Sequence, residues 1–260
     1  MANSVEVDHP LRAKVTVSQG HDKMPDFNIT NLTDQPFNVG INALIERTSM
    51  PELPRPYLGA SAIGDDCARR IQYDWWCKPE LAARVRRIFE RGHFFEFRTR
   101  EQLIEAGFKF STNPADLEFT ALDRNFRGHA DGLIFAGPDL PDAHLAYPCL
   151  WECKALNGKN WRAVAKDGLI KTFPKYAAQV SVYQRHLNRT NPVLFTAANA
   201  DTCELLHFVV PFNAQVAQYW ADRAAMIIAA TRAGELLPRV ANNRDNFHCN
   251  ICPHKGRCWR

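Results

Sequence analysis

The apolar residues of this chain change period several times between residues 79 and 236, and that alternation restricts the fold more than any other property. From Pro79 to about Gly107, Leu81, Val85, Ile88, Phe89, Gly92, Glu96, Thr99 and Leu103 recur at steps of three and four, the spacing of one helical face. "LEFTALD" and "NFRGHADGLIFA" then alternate at a period of two and predict a hairpin, with "PCLWECKAL" as a third strand. "FPKYAAQVSVYQRHL" predicts a helix, "PVLFTAANA" and "CELLHFVVP" two more strands, and "NAQVAQYWADRAAMIIAATRAGEL" a long helix with Gly234 near its end. Helix, three strands, helix, two strands, helix is the order of an α/β sheet flanked by helices. Two residues of the first helix break its apolar stripe. Glu96 is an acid in line with it, costly unless paired or bound to a cation. Gly92, one turn earlier, weakens the helix by about 1 kcal/mol relative to Ala and permits close approach of another group.

At 260 residues, with 46% hydrophobic and 23% charged side chains, the chain suits a soluble globular protein of one large domain or of a domain with an appended lobe. No apolar run approaches the roughly 18 residues of a membrane helix. The opening "MANSVEVDHP" lacks the apolar core of a secretory leader, so a cytoplasmic location is expected. In that compartment eight cysteines read as ligands or buried thiols before disulfides. The net charge of +4 is unevenly spread. Residues 69–100 hold nine Lys/Arg against four Asp/Glu, 154–175 six against one, and 239–260 five against one. Brought to one face, these stretches would suit a phosphate backbone; taken singly, each reads equally well as a solvated surface.

The chemistry concentrates in the middle of the chain. Asp131 lies in "GHADGLI" on an expected strand, and Glu152 and Lys154 in "LWECKAL" are two apart, so they share a strand face. Trp151, Cys153 and Ala155 point the other way, which makes Cys153 a buried thiol. Two carboxylates without thiolate or imidazole suit a hard cation such as Mg²⁺ or Mn²⁺. Such an ion stabilises a phosphodiester transition state, with Lys154 placed to orient water or neutralise phosphate charge. The next helix carries Gln179 and Tyr183 four apart, on one face. At the C-terminus, "FHCNICPHKGRCW" offers three thiols, Cys249, Cys252 and Cys258, where a four-coordinate site needs a fourth.

In order along the chain, "GHFFE", "GHADG", "ECK" and "QVSVY" resemble the motifs of the RecB-like branch of the PD-(D/E)XK nucleases, the last matching Q-x-x-x-Y. "SAIGDDCARRIQYDWW" is similar to the S…C-x-R…Y segment of members in which an upstream cysteine joins a C-terminal trio. The CRISPR-associated RecB-like exonucleases and the AddB nuclease domain are of this kind. The resemblance covers roughly residues 57–260. It implies a restriction-endonuclease-like core of 111–234, and a helical lobe of 57–110 with 235–260, after an extension of 1–56 that the sequence leaves as an irregular or poorly packed arm.

The resemblance further implies a catalytic set of Asp131, Glu152, Lys154, Gln179 and Tyr183, with Glu96, Asp131 and Glu152 on Mg²⁺ or Mn²⁺. Glu96 replaces the histidine found four residues after the glycine in many RecB-like enzymes, a departure shared with phage recombination exonucleases. It implies a 4Fe–4S cluster on Cys67, Cys249, Cys252 and Cys258, with Zn²⁺ as the alternative. Closing a loop of about 180 residues, the cluster would clip the ends of the domain together. Cys77, Cys149 and Cys203 then remain as buried small hydrophobes. Arg69, Arg70, Arg91, Lys159 and Lys175 are candidate DNA contacts. His93 and His129, beside the motifs, read as positioning or solvent-facing groups. The expected substrate is DNA, single-stranded or with open ends, with recombination or CRISPR-adaptation proteins as partners and no membrane. Monomer, dimer and ring all fit the family. The competing functions are a nucleic-acid-binding module with a vestigial centre and an end-trimming accessory subunit.

Overall fold

The computed structural model describes residues 31–48, 55–77 and 81–260, and the chain divides into two units, 1–48 and 49–260. In the first unit the Asn31 side chain caps a 3-10 turn, Leu32–Asp34, and helix α1 follows over Pro36–Thr48. No side chain of α1 is buried. A regular helix thus stands in a stretch whose sequence suggested an irregular arm.

The second unit opens with strand β1 (Leu58–Gly59) and helices α2 (Ala68–Trp76) and α3 (Ala83–Glu105). Short strand β2 (Lys109–Phe110) and strands β3 (Glu118–Ala121), β4 (Phe126–His129), β5 (Gly132–Ala136) and β6 (Cys149–Leu156) come next. Helices α4 (Gly158–Asp167), α5 (Leu169–Thr172) and α6 (Pro174–His186) lead to strands β7 (Val193–Asn199) and β8 (Leu205–Val210). Helix α7 (Ala214–Arg232) and two single turns, α8 (Phe247–Asn250) and α9 (Lys255–Cys258), complete it.

Two mixed sheets result. The larger has the order β2-β5-β6-β7-β8, with β6 and β7 parallel and the other pairs antiparallel. The smaller has the order β1-β4-β3. The parallel β6–β7 pair needs a crossover, which α4, α5 and α6 supply. All seven residues of β7 are buried, as a strand covered on both faces requires. Along β6, Leu150 and Leu156 join an apolar cluster with α6 and α7 side chains. Cys149, Trp151 and Cys153 join a second cluster with Leu103 of α3. This is the mixed α/β, restriction-endonuclease-like core anticipated from the sequence.

Three local expectations need correction, and one stretch without an expectation gains a structure. The run 125–136 is not one strand: β4 belongs to the small sheet and β5 to the large one, so Asp131 sits at the break instead of projecting from a strand. The apolar stripe of α3 is buried only in part. Ala83, Thr99 and Leu103 are covered, whereas Ile88 and Phe89 between them are exposed, because the helix packs at its start and in its C-terminal half but not over the turns in between. The anticipated start at Pro79 lies outside the described residues. The basic stretch 158–172, which carried no structural expectation, forms α4 and α5. Finally, Cys77 and Cys203 are exposed, Cys77 at the end of α2 and Cys203 in the left-handed turn before β8; Cys149 and Cys153 are buried. Among the described residues no helix is long and apolar enough to cross a membrane.

Helix α2 holds the C-terminal segment. Gln72, fully buried, donates to the Glu235 carbonyl at 2.8 Å and accepts from the Leu237 amide at 2.9 Å. Arg69 Nε donates to the Leu237 carbonyl at 2.5 Å, and His254 Nε2 pairs with Asp74 Oδ1 at 2.7 Å. The Arg257 guanidinium lies 4.9 Å from the centre of the Tyr73 ring.

Candidate active site

The break between the sheets creates the site. Gly132 pairs with Trp151 in the antiparallel β5–β6 ladder, so Asp131, the residue just before β5, lies beside the stretch of β6 that carries Glu152. Asp131 Oδ2 accepts the Cys153 amide at 2.8 Å, a bond that takes the place of a strand contact and fixes the carboxylate. Glu152 is 1% exposed. Its Oε1 accepts both Lys154 Nζ, two residues along the same strand face, and Gln179 Nε2 at 2.7 Å. The Gln179 amide also donates to the Tyr183 hydroxyl at 3.0 Å, one turn further along α6. Glu152 Oε2 is buried and has no hydrogen-bond partner among the described residues.

Burial, and then the neighbouring Asp131 carboxylate, push the Glu152 carboxyl up to about 8, although Lys154 opposes the shift. Burial works to lower the Lys154 ammonium, but Glu152 and Asp131 outweigh it and hold the group above the usual lysine range. Glu96 is also raised, by burial and by Asp131, against a weaker pull from His93, whose Nδ1 lies 3.6 Å from Glu96 Oε2. The Tyr183 phenol is raised by burial and by Glu152. The centre therefore holds one fixed cation among three carboxylates that repel one another.

Glu96, Asp131, Glu152, Lys154, Gln179 and Tyr183 thus form one electrostatic cluster. Even so, among the described residues no three Cys, His, Asp or Glu side chains converge as a ready-made metal site. Mg²⁺ does not demand such convergence, since one or two carboxylates and several waters commonly hold it. The donor set fits. Asp131 is held at the Cys153 amide, next to Glu152, and the two carboxylates repel each other, while a buried carboxylate oxygen with no hydrogen-bond partner among the described residues is a position that a cation satisfies.

Of the basic candidates, Arg69 is committed to Leu237, and Arg70 lies 3.4 Å from Asp65 and 3.8 Å from Asp74. Arg91 and Lys159 are exposed. Lys175 Nζ stands 5.2 Å from the centre of the Tyr176 ring, and Lys154 Nζ stands 5.7 Å from it. Burial lowers the Lys175 ammonium. Tyr176 links the two lysines, and sequence reasoning missed it. Its position three residues before Gln179, on the same helical face, was the signal available. His93 and His129 are largely exposed, 81% and 57% at their side chains.

The cysteines meet elsewhere. Cys67 at the start of α2, Cys249 in α8, Cys252, and Cys258 in α9 line one cavity of about 220 Å³ together with Arg70 and Lys175. All four thiols are free, and burial raises that of Cys252. Thr172, Phe173 and Pro174, at the approach to α6, form another wall.

No family model matches the chain, and no curated protein matches it. Among solved structures it is similar to an alkaline exonuclease, LHK-Exo, from Laribacter hongkongensis: 16% identity and a TM-score of 0.51, over 70% of this chain and 90% of that one. The structure of LHK-Exo in complex with dAMP gives 16% identity and 0.50, over 68% and 89%. At this identity the likeness establishes a shared fold.

Proposed function

We propose that the chain is a divalent-metal-dependent deoxyribonuclease, acting as an exonuclease on single-stranded DNA or open ends. The observation that carries this reading is the state of Glu152: buried, held at one oxygen by Lys154 and Gln179, and without a partner at the other. The fold shared with an alkaline exonuclease, and that protein's complex with a deoxynucleotide, support DNA as the substrate class. Recombination, phage replication and CRISPR adaptation inside a bacterial or phage-infected cell are settings in which the resembling nucleases work.

Asp131 and Glu152 would hold Mg²⁺ or Mn²⁺, with Glu96 at the edge of the site. When bound, the ion supplies Lewis-acid stabilisation of the phosphoryl transition state and a more acidic water. The protein groups divide the remaining work. Lys154 stays protonated, so it serves as a fixed positive charge for the phosphate and not as a base. Gln179 keeps Glu152 Oε1 occupied and thereby turns Oε2 toward the cation position. Tyr183 remains a neutral phenol whose oxygen accepts from Gln179, leaving its proton for a phosphate oxygen.

The four-cysteine cavity would hold a 4Fe–4S cluster. A mononuclear Zn²⁺ draws its sulfurs to about 2.3 Å from one point. Here the four thiols line one cavity, and the likeness of the spacing to members in which an upstream cysteine joins a C-terminal trio favours the cluster over zinc. Its role on this reading is to fasten the C-terminal segment to α2.

The test is cleavage of end-labelled single- and double-stranded DNA with Mg²⁺ or Mn²⁺ by wild type, Glu152→Ala and Lys154→Ala. Wild type should release nucleotides while both variants lose at least 100-fold in rate; equal degradation by all three contradicts the assignment. For the cavity, iron and sulfide analysis of anaerobically prepared protein should find four of each, and Cys67→Ala should lose them. Zinc without iron would replace the cluster in the account.

A further inference from the structure

Eight of the eleven described glycines in the second unit have a reason inside the protein, a close neighbour or a left-handed φ; Gly59, at ordinary contact distance from its neighbours, Gly92 and Gly256 have not. A Cβ on Gly64 would lie 2.4 Å from the Lys175 backbone, and one on Gly128 2.4 Å from the Phe119 ring. Gly107, Gly168 and Gly234 adopt left-handed φ values of 97°, 79° and 73°. Gly92 has neither reason. It lies inside the 23-residue helix α3, its φ is not positive, and among the described residues nothing comes within 4 Å of a Cβ built on it. Gly40 and Gly256 are equally open, but Gly40 is in α1 and Gly256 in the four-residue α9. Only Gly92 lies on the helix that carries Glu96.

Glycine is the poorest helix former after proline, so its presence in a helix interior calls for a compensating gain. Helical spacing puts Gly92 on the face shared by Glu96, Thr99 and Leu103. Burial along that face is uneven: it is full at Thr99 and Leu103, partial at Glu96, Gly92 and Val85, and full again at Ala83 beside it at the helix start. Leu103 and Thr99 are covered, the Glu96 side chain is 35% exposed, and Phe89 is 50% exposed. Gly92 is therefore a half-buried notch in the helix surface, between the covered C-terminal half and the exposed Phe89. It lies four residues, about 6 Å along the axis, from Glu96, or about two base steps of a B-form strand. Arg84, Arg87 and Arg91 are exposed along the same half of the helix, which supplies the sign of charge that a phosphate backbone needs.

We infer that Gly92 is a substrate-clearance residue. The sugar–phosphate backbone of the DNA strand under attack passes in van der Waals contact over this notch, and the missing Cβ fixes how closely the strand approaches Glu96 and Asp131. Gly92 positions the substrate and takes no part in proton or phosphoryl transfer. The inference rests on the nuclease reading above.

A substitution separates this role from a structural one because the two predict opposite trends. Gly92→Ala should raise Tm by about 3 °C, since alanine favours the helix and meets no neighbour. It should also raise KM for single-stranded DNA roughly tenfold, with kcat little changed. Gly92→Leu should remain folded, with Tm no lower than wild type, and should weaken binding of a fluorescent DNA oligonucleotide, measured without metal, about 100-fold. A Gly92→Leu protein with KM and Kd within twofold of wild type overturns the inference, as does a Gly92→Ala protein with a lowered Tm. Wild type that binds and cuts DNA beside an unimpaired Gly92→Leu sinks this inference alone. Wild type that neither binds nor cuts DNA sinks the nuclease reading, and this one with it.

Discussion

Glu152 enters the core as a carboxyl raised by burial and by Asp131, which gives the protein a definite pH signature. A group whose folded value lies above its unfolded one contributes stability below the unfolded value, near 4.5, and loses that contribution as pH climbs through about 8. The Tm of metal-free protein should therefore fall between pH 5 and pH 8, and Glu152→Gln should flatten part of that slope in a scanning calorimetry series. An unchanged slope would mean that Glu152 is already ionised in the apo protein. Cation binding runs the other way, because the ion competes with a proton: Mn²⁺ affinity should rise with pH up to about 8. Gln179, which orients the same carboxylate, offers a milder perturbation. Gln179→Ala should raise the Mn²⁺ concentration needed for half-maximal cleavage about 10- to 100-fold, with recovery at high metal. Residues of this kind were legible in the sequence because a step of two on a strand and four on a helix fixes the face. Glu152 with Lys154, and Gln179 with Tyr183, meet as that geometry requires. Tyr176 and the Asp74–His254 pair were not legible, since packing between segments brings them together.

The elements around the site show how the glycine-rich "GHADG" stretch works. Its first glycine sits in β4, where a Cβ would meet the Phe119 ring at 2.4 Å and the Tyr183 ring at 2.6 Å. Gly128→Ala should therefore cost about 1–3 kcal/mol by overpacking, read as a lower denaturation midpoint. The glycine serves the closeness of β4 to α6, and through it the position of Tyr183. Strands β6, β7 and β8 and helices α6 and α7 were readable, because long runs with one period and clear boundaries leave little choice of element. The break at Ala130–Asp131 was not: both flanks read as strand, and only the tertiary pairing assigns them to different sheets. The exposed half of α3 escaped for a related reason. A hydrophobic stripe records which face could be buried and not how far the covering sheet extends.

At the scale of the second unit, its C-terminal segment is held by hydrogen bonds from α2, and Cys67 lines one cavity with the C-terminal trio. Removing the buried Gln72 amide by Gln72→Ala leaves two backbone groups without their partner and should cost about 1–3 kcal/mol. Limited proteolysis should then cut first within 235–260. The cavity also touches Phe173 and Lys175, at the start of the helix that supplies Gln179, so the cavity wall and Gln179 share one element. The distance between Cys67 and the tail made this closure invisible to composition and period; motif resemblance alone suggested it. The central claim is that the buried, unpartnered oxygen of Glu152 is an anchor for a divalent cation that drives DNA cleavage. The most direct measurement is Mn²⁺ binding at pH 8 by titration calorimetry, followed by cleavage of labelled DNA in the same samples. The account predicts that wild type binds Mn²⁺ and cuts, and that Glu152→Gln, folded to the same Tm or higher, does neither. Equal Mn²⁺ affinity and equal cleavage in the two proteins would contradict it.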